Sequence, residues 1–222
     1  MPYIGEFAAL TTALCWVVTA MSFESAGRRV GSLAVNLLRL ILAFFFLSGL
    51  GLVARGHLWP SDAGAHQWIW LPLSGLVGFT IGDLALFRAF VLIGSRLSTL
   101  IMSCVPLIAA VVGWFVMGER LTGMDVAGMA LTLSGVALAV LERRKNTGGV
   151  FADASVKGVA LGLVGAVGQA VGLVLSKYGM RDYDPFAATQ IRVIAGIAGF
   201  SVLLRSSDGG PKQAKRSETK AP

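Results

Sequence analysis

Polar residues punctuate this chain at intervals that leave long apolar stretches between them. A helix crossing a bilayer core needs about twenty consecutive apolar residues. Seven stretches approach that length: 4–23, 33–54, 68–92, 97–117, 124–141, 156–175 and 186–204. Links such as AGRRVGS and GERLTG are too short to hold a domain, so consecutive helices should run antiparallel in one compact all-α bundle of about seven transmembrane helices. The first stretch has no basic leader and is long enough to span, so it reads as a membrane helix and not as a cleaved signal peptide. After Leu204 the chain becomes RSSDGGPKQAKRSETKAP, with no apolar period, and a polar disordered tail is expected over 206–222.

Composition sharpens this picture. The chain is 55% hydrophobic and 14% charged, with a mean hydropathy of +0.73. A soluble surface cannot be built from so few charges, so the reading is a multi-pass protein of the cell membrane whose main surroundings are lipid. The net charge of +7 lies in short clusters between apolar runs and not in a basic stripe interleaved with aromatics, which argues against nucleic acid as a partner. Cys15 and Cys104 both fall inside apolar runs, as small hydrophobes do, and neither a metal nor a cofactor is expected. Lys and Arg number twelve in the links on one side and four on the other, which by the positive-inside rule puts the N-terminus outside.

Two arginines stand inside apolar runs, Arg39 in VNLLRLILAFFF and Arg192 in TQIRVIAGIAGF. An offset of 153 residues brings them into register without a gap and also pairs Gly5 with Gly158, Leu10 with Leu163, Ala13 with Ala166, Val18 with Val171, Arg28 with Arg181, Ala34 with Ala187 and Ile41 with Ile194. Helices one and two then recur as helices six and seven. Five helices separate the copies, and an odd number inverts the second in the membrane, as in many secondary transporters.

A guanidinium at mid-helix depth costs about 2.5–3.5 kcal/mol on insertion scales, so Arg39 and Arg192 need a wet cavity, an acidic partner or a route to the interface. Repetition in both copies favours the cavity. Asp83 and Arg88 are five residues apart in the third span, a poor spacing for mutual neutralisation, so Asp83 needs another partner and Arg39 is a candidate. A buried carboxylate there can carry a proton or form a fixed interhelical pair. The offset places Trp16 opposite Gln169 as equivalent mid-helix positions, an aromatic and an amide suited to an amphipathic solute. Other features read as structural. Pro106 should bend helix four, Glu119 and Arg120 close that helix at the membrane edge, and Thr122 or Asp125 caps the next. Gly158, Gly162, Gly165, Gly168 and Gly172 share one third of a helix circumference and form a packing face.

The stretch from Gly78 to Val140, with Pro106, the Gly118-Glu119-Arg120 ending, Gly128 and Gly135-Val136, resembles the end of the first half of an EamA-like carrier of the drug/metabolite transporter superfamily. Trp16 and Arg39 fall where that family often has a tryptophan and an arginine, whereas Glu24 stands where it is often basic. The resemblance implies two inverted five-helix repeats, a cytoplasmic N-terminus at odds with the charge count, and transport of small organic metabolites or drugs by alternating access. Residues 1–145 then form the first repeat and 146–205 a partial second repeat of two helices. The second half is incomplete by three helices, so a truncated member or a homo-oligomer completing the repeat is expected. The substrate path is assigned to Arg39, Arg192, Asp83, Trp16 and Gln169.

Other classes fit less well. A membrane-embedded protease needs a base near its nucleophile, but His57 and His66 share one loop, and neither Ser74 nor Ser134 sits in a nucleophile motif. The chain is therefore not read as an enzyme. A seven-helix receptor matches the helix number but gives no reason for the repeat, and a non-transporting assembly protein is the other alternative.

Overall fold

The computed structural model describes residues 4–146 and 152–208, and the regular structure within them is helical throughout. Seven helical rods follow one another: α1 (Ile4–Val30), α2 (Ser32–Arg55), α3 (Ala65–Ile93), α4 (Ser95–Met117), α5 (Gly123–Asn146), α6 (Ala152–Met180) and α7 (Pro185–Asp208). Among the described residues six are long and apolar enough to cross a bilayer, while the apolar part of α5, Gly123–Leu138, is shorter. The protein is thus an all-α, multi-pass membrane bundle. Of the polar disordered tail expected over 206–222, residues 206–208 instead continue α7 as helix, and the rest lies outside the described residues.

Several boundaries differ from the hydropathy pattern for local reasons. α1 continues past its apolar stretch because Glu24 and Arg28, one turn apart, pair at 3.0 Å and extend the helix. Only Gly31 then separates α1 from α2, and only Gly94 separates α3 from α4. Their φ values of +89° and +82° are open to glycine and strained for other residues. Glu24 also accepts a hydrogen bond from the Ser95 N–H (2.6 Å), placing a carboxylate on the otherwise unsatisfied start of α4.

α3 is not uniformly α-helical. Ala65–Gly75 and Leu84–Ile93 flank a wider π-helical stretch, Leu76–Asp83, just after Pro72 has removed one donor from the backbone ladder. The bend expected at Pro106 takes a different form. α4 is interrupted at Ser103–Cys104, whose N–H groups bond three residues back to Leu100 and Ile101 (3.1 and 3.0 Å). Pro106 then opens the second segment, Val105–Met117, where a missing donor costs little.

α3 is the centre of the bundle. α6 lies along α3 and α4, α7 packs on α2 and α3, and α1 rests on α2 and α3. The glycine face of α6 approaches α3 closely, and Gly75 of α3 meets the Arg192 backbone of α7 more closely still, at 2.3 Å from an added Cβ. A Cβ built on Gly168 would lie 2.7 Å from the Gly82 Cα, and one on Gly172 would lie 2.8 Å from the Gly78 Cα. Backbone meets backbone there, and only glycine leaves the room. Beside this seam, Leu40, Val193 and Phe200 join α2 to α7, and Ala20, Val35, Leu86, Phe87 and Phe90 join α1, α2 and α3. The two helix pairs matched by the 153-residue offset differ in their packing: α1 rests directly on α2, whereas α6 and α7 barely touch and both lean on α3. Phe7, Phe46 and Phe115 are exposed on the outer faces, as suits side chains that meet lipid.

Candidate functional site

Four of the five sequence-nominated path residues converge on the π-helical stretch of α3. Asp83, at its end, is 2% exposed. Its Oδ2 accepts from Arg39 Nη2 of α2, and its Oδ1 accepts from Gln169 Nε2 of α6. The same Gln169 amide also donates to the Gly78 carbonyl (3.3 Å), which faces it one wide turn earlier. Gln169 reaches that far because its neighbour Gly168 brings α6 against Gly82. Arg39 Nη2 donates a second hydrogen bond to Asn36 Oδ1 (3.0 Å), one turn back along α2.

Arg39 and Arg192 enter from opposite faces of the membrane. Each is the eighth residue of its helix, and α2 and α7 run antiparallel. With a rise of 1.5 Å per residue, both lie roughly 10 Å from their helix starts. They meet at the Phe79 ring, whose centroid is 5.8 Å from the Arg39 Cζ and 4.8 Å from the Arg192 Cζ. Arg39 also has Phe23 at 5.9 Å and Phe87 at 5.4 Å, so its guanidinium stands among three aromatic rings while bonded to Asp83. Both guanidinium groups turn toward α3, Arg39 to Asp83 and Arg192 to the Phe79 ring. The Arg192 side chain makes no hydrogen bond or ion pair with any described residue; its guanidinium lies over the Phe79 ring in the field of Asp83, while its backbone packs against Gly75. Five buried side-chain atoms on α2, α3 and α7 have no partner among the described residues: Asn36 Nδ2, Arg39 Nε, Arg192 Nε and the hydroxyl oxygens of Ser74 and Thr80.

An apolar groove of about 630 Å³ opens between α1 and α2, lined by Phe23, Val35, Leu38 and Leu42 together with Arg39. A partly covered cation in the lining of an apolar groove can hold an amphipathic solute by its polar end.

Residues 3–141 match the model of the EamA-like transporter family, more than half of the chain. This chain belongs to the EamA-like transporter family. It is accordingly a membrane protein of a transporter family, as the Gly78–Val140 stretch suggested. No curated protein and no solved structure matches it. Within the EamA-like match lie Trp16, Arg39 and Asp83, while Gln169 and Arg192 come from the part beyond it.

The EamA-like bundle places the remaining nominated residues elsewhere. Trp16 is 44% exposed on α1 and makes none of the contacts around Asp83. Arg120 is exposed, and Glu119 folds over Gly113 to accept from Lys177 Nζ (2.6 Å), tying the α4–α5 link to α6. Thr122 and Asp125 bond each other reciprocally at the start of α5, both taking part in the cap. Gly162 and Gly165 face Ile101 and Leu86, in keeping with a packing face. Asn36, Phe79 and the Phe23 and Phe87 rings beside Arg39 escaped the sequence reading. Asn36 carried a usable signal, an amide one turn from Arg39 in an apolar run; Phe79 carried none, since one phenylalanine among many has no distinguishing mark.

A second polar cluster closes one face of the bundle. Arg55, at the end of α2, pairs with Asp62 in the following loop and lies 3.7 Å from Asp184 in the α6–α7 turn. The Tyr183 hydroxyl donates to Asp62 Oδ1 (2.9 Å), and Gln190 donates to Ser48 Oγ and to the Leu58 carbonyl, each at 2.8 Å. Burial pulls the Asp62 carboxyl upward, but the hydrogen bonds from Tyr183 and Arg55 and the Arg55 charge outweigh it and hold the group below its ordinary 3.8. A carboxylate depressed in the folded state adds stability above its unfolded pKa and loses it as pH falls through the folded value. Acidification from about pH 5 to about pH 3 should therefore loosen this loop, read as faster hydrogen exchange over residues 56–64 after correction for the intrinsic pH effect. Asp62→Asn should show the loosened exchange already at neutral pH.

Proposed function

We propose that this EamA-like chain carries small organic metabolites or drugs across the membrane by alternating access around the Arg39–Asp83–Gln169–Arg192 cluster. The observation that supports this most is that four helices deliver charged and amide side chains to one buried point, roughly midway between the faces, beside an apolar groove. Such groups are costly in a membrane and are kept where they bind or relay something. The π-helical stretch, glycine-lined against α6, gives α3 a locally irregular segment about which the bundle can rock. Movement is by exchange or coupled to protons, with Asp83 as the proton-accepting group in the latter case.

The test is solute flux in proteoliposomes containing the purified chain, using a panel of small organic cations, anions and neutral compounds. Arg39→Gln and Arg192→Gln should each lower the flux of any transported solute by about tenfold or more, the equivalent of about 1.4 kcal/mol. Unchanged flux in both variants would remove the cluster from the path.

A second reading concerns assembly. α5 is largely exposed and stands apart from the rest of the bundle, leaving α1 and α4 open on that side. A second copy covering that side would complete the partial repeat, making a homo-oligomer the transporting unit. Flux from nanodisc-verified monomers reconstituted at one chain per vesicle would reject this.

A further inference from the structure

Resting on the transport reading above, we infer that the solute is a small organic monoanion, with its acidic group received by Arg39 and its apolar body held in the α1–α2 groove. Charge carries the argument. The central cluster holds two guanidinium groups, Arg39 and Arg192, and one carboxylate, Asp83. Both guanidinium carbons lie within 6 Å of the same Phe79 ring, so they are no more than about 11 Å apart. At that separation in a poorly screened interior, like charges repel appreciably and a surplus positive charge is unfavourable. Asp83 bonds Arg39 and leaves Arg192 without an ion pair among the described residues. The buried side-chain atoms without a partner on α2, α3 and α7 are three N–H donors, the Asn36 amide nitrogen and the Nε of each arginine, and two hydroxyls that can also donate, those of Ser74 and Thr80. What the site lacks is one negative charge bearing acceptor oxygens.

The groove shows where that charge would arrive. Arg39 is part of its lining with a side chain 26% exposed, while Asp83, bonded to Arg39 but not itself in the lining, is 3% exposed. An incoming carboxylate meets Arg39 first. With Arg39 engaged by the solute, Asp83 is free to turn its charge toward Arg192, and the loaded cluster carries two positive and two negative charges. The empty site is charged and the loaded site neutral, so the solute itself lowers the electrostatic cost of moving the cluster. A cationic solute would raise the surplus instead. Phe23, Val35, Leu38 and Leu42 form apolar walls for a ring or short aliphatic body.

Three probes of one shape and different charge test this: benzoate, benzamide and benzylammonium, with the full chain in phosphatidylcholine nanodiscs for equilibrium binding and in phosphatidylcholine proteoliposomes for flux. Benzoate should bind at least about tenfold more tightly than benzamide, with benzylammonium weakest. Arg192→Gln should abolish that preference, raising benzamide relative to benzoate by about tenfold, and Arg192→Lys should keep it. A structural role for Arg192 would weaken all three probes alike and would not reorder them. Adding phosphatidylglycerol should leave benzoate binding unchanged; competitive loss of benzoate would reassign the site to an anionic lipid and overturn the proposal. A preference for benzamide or benzylammonium, or no binding of any probe, would also overturn it. Preferential flux of a neutral or cationic probe would do so while leaving the carrier reading intact, whereas absence of flux for every solute of the wider panel would strike the carrier reading itself.

Discussion

Asp83→Asn should be the most damaging single polar substitution in this protein. The asparagine keeps the shape and can still accept from Gln169, but the cluster then holds two guanidinium groups and no carboxylate. Removing one partner of a buried ion pair typically costs about 3–5 kcal/mol, because the other charge is left buried and uncompensated. Arg39 is only partly covered and can turn toward the groove, which moderates its share of that loss; Arg192 has no such outlet described. The expected results are a marked drop in thermal unfolding temperature in detergent and near-complete loss of flux. The double variant Arg39→Gln/Asp83→Asn should be more stable than the sum of its parts predicts, since the second change removes a charge that the first had stranded. Additivity of the two changes would mean that the pair contributes nothing as a pair.

Gly168→Val should rival it from the packing side. The added Cβ would lie 2.7 Å from the Gly82 Cα, 3.0 Å from the Gly82 N and 3.2 Å from the Val77 O. These are backbone atoms of the π-helical stretch, and no rotamer change can move them aside. α6 and α3 must therefore separate, at a cost of about 1–3 kcal/mol or more for overpacking. The separation also draws Gln169 away from Asp83, so flux should fall further than stability alone would explain. Gly49→Ala is the matched control: nothing lies within 4 Å of its added Cβ, and alanine in a helix should be neutral or stabilising by up to about 1 kcal/mol. Similar thermal shifts for both variants would show that the glycine face of α6 is not a close-packed seam.

How much of this site could be read from the chain varies residue by residue. Arg39, Arg192 and Asp83 are visible in the sequence because ionised groups are rare in lipid-facing runs. Gln169 is visible only through the offset that links it to Trp16, and the structure separates those two: Gln169 lies at the centre and Trp16 at the exterior. Both are mid-helix, so depth could not distinguish them. Rotation of each helix about its axis decides, and α1 turns its Trp16 face outward while the glycine seam presses Gln169 against α3. Asn36 could have been found by the reasoning that found Arg39.

The helical backbone shows the same division. Hydropathy places the rods well because the length of a bilayer crossing is a local property, satisfied within one helix. It misses the π-helical turn at Leu76–Asp83 and the interruption at Ser103–Cys104, which leave mean hydropathy almost unchanged. Pro72 and Pro106 mark both neighbourhoods, yet proline specifies only that a hydrogen bond is lost and not how the chain re-forms its ladder.

By itself, then, the sequence determined the membrane class, the succession of antiparallel helices, the helix on which each charged side chain stands and the face of α6 that can be approached closely. Those follow from composition and spacing along a single rod in an apolar solvent. Only the tertiary structure decided that Asp83 bonds both Arg39 and Gln169, that Phe79 stands between two guanidinium groups, and that Arg192 has no carboxylate of its own among the described residues. Such meetings depend on how far each rod is turned about its axis and which neighbour it leans on, and those rotations are set by contacts between residues far apart in the chain.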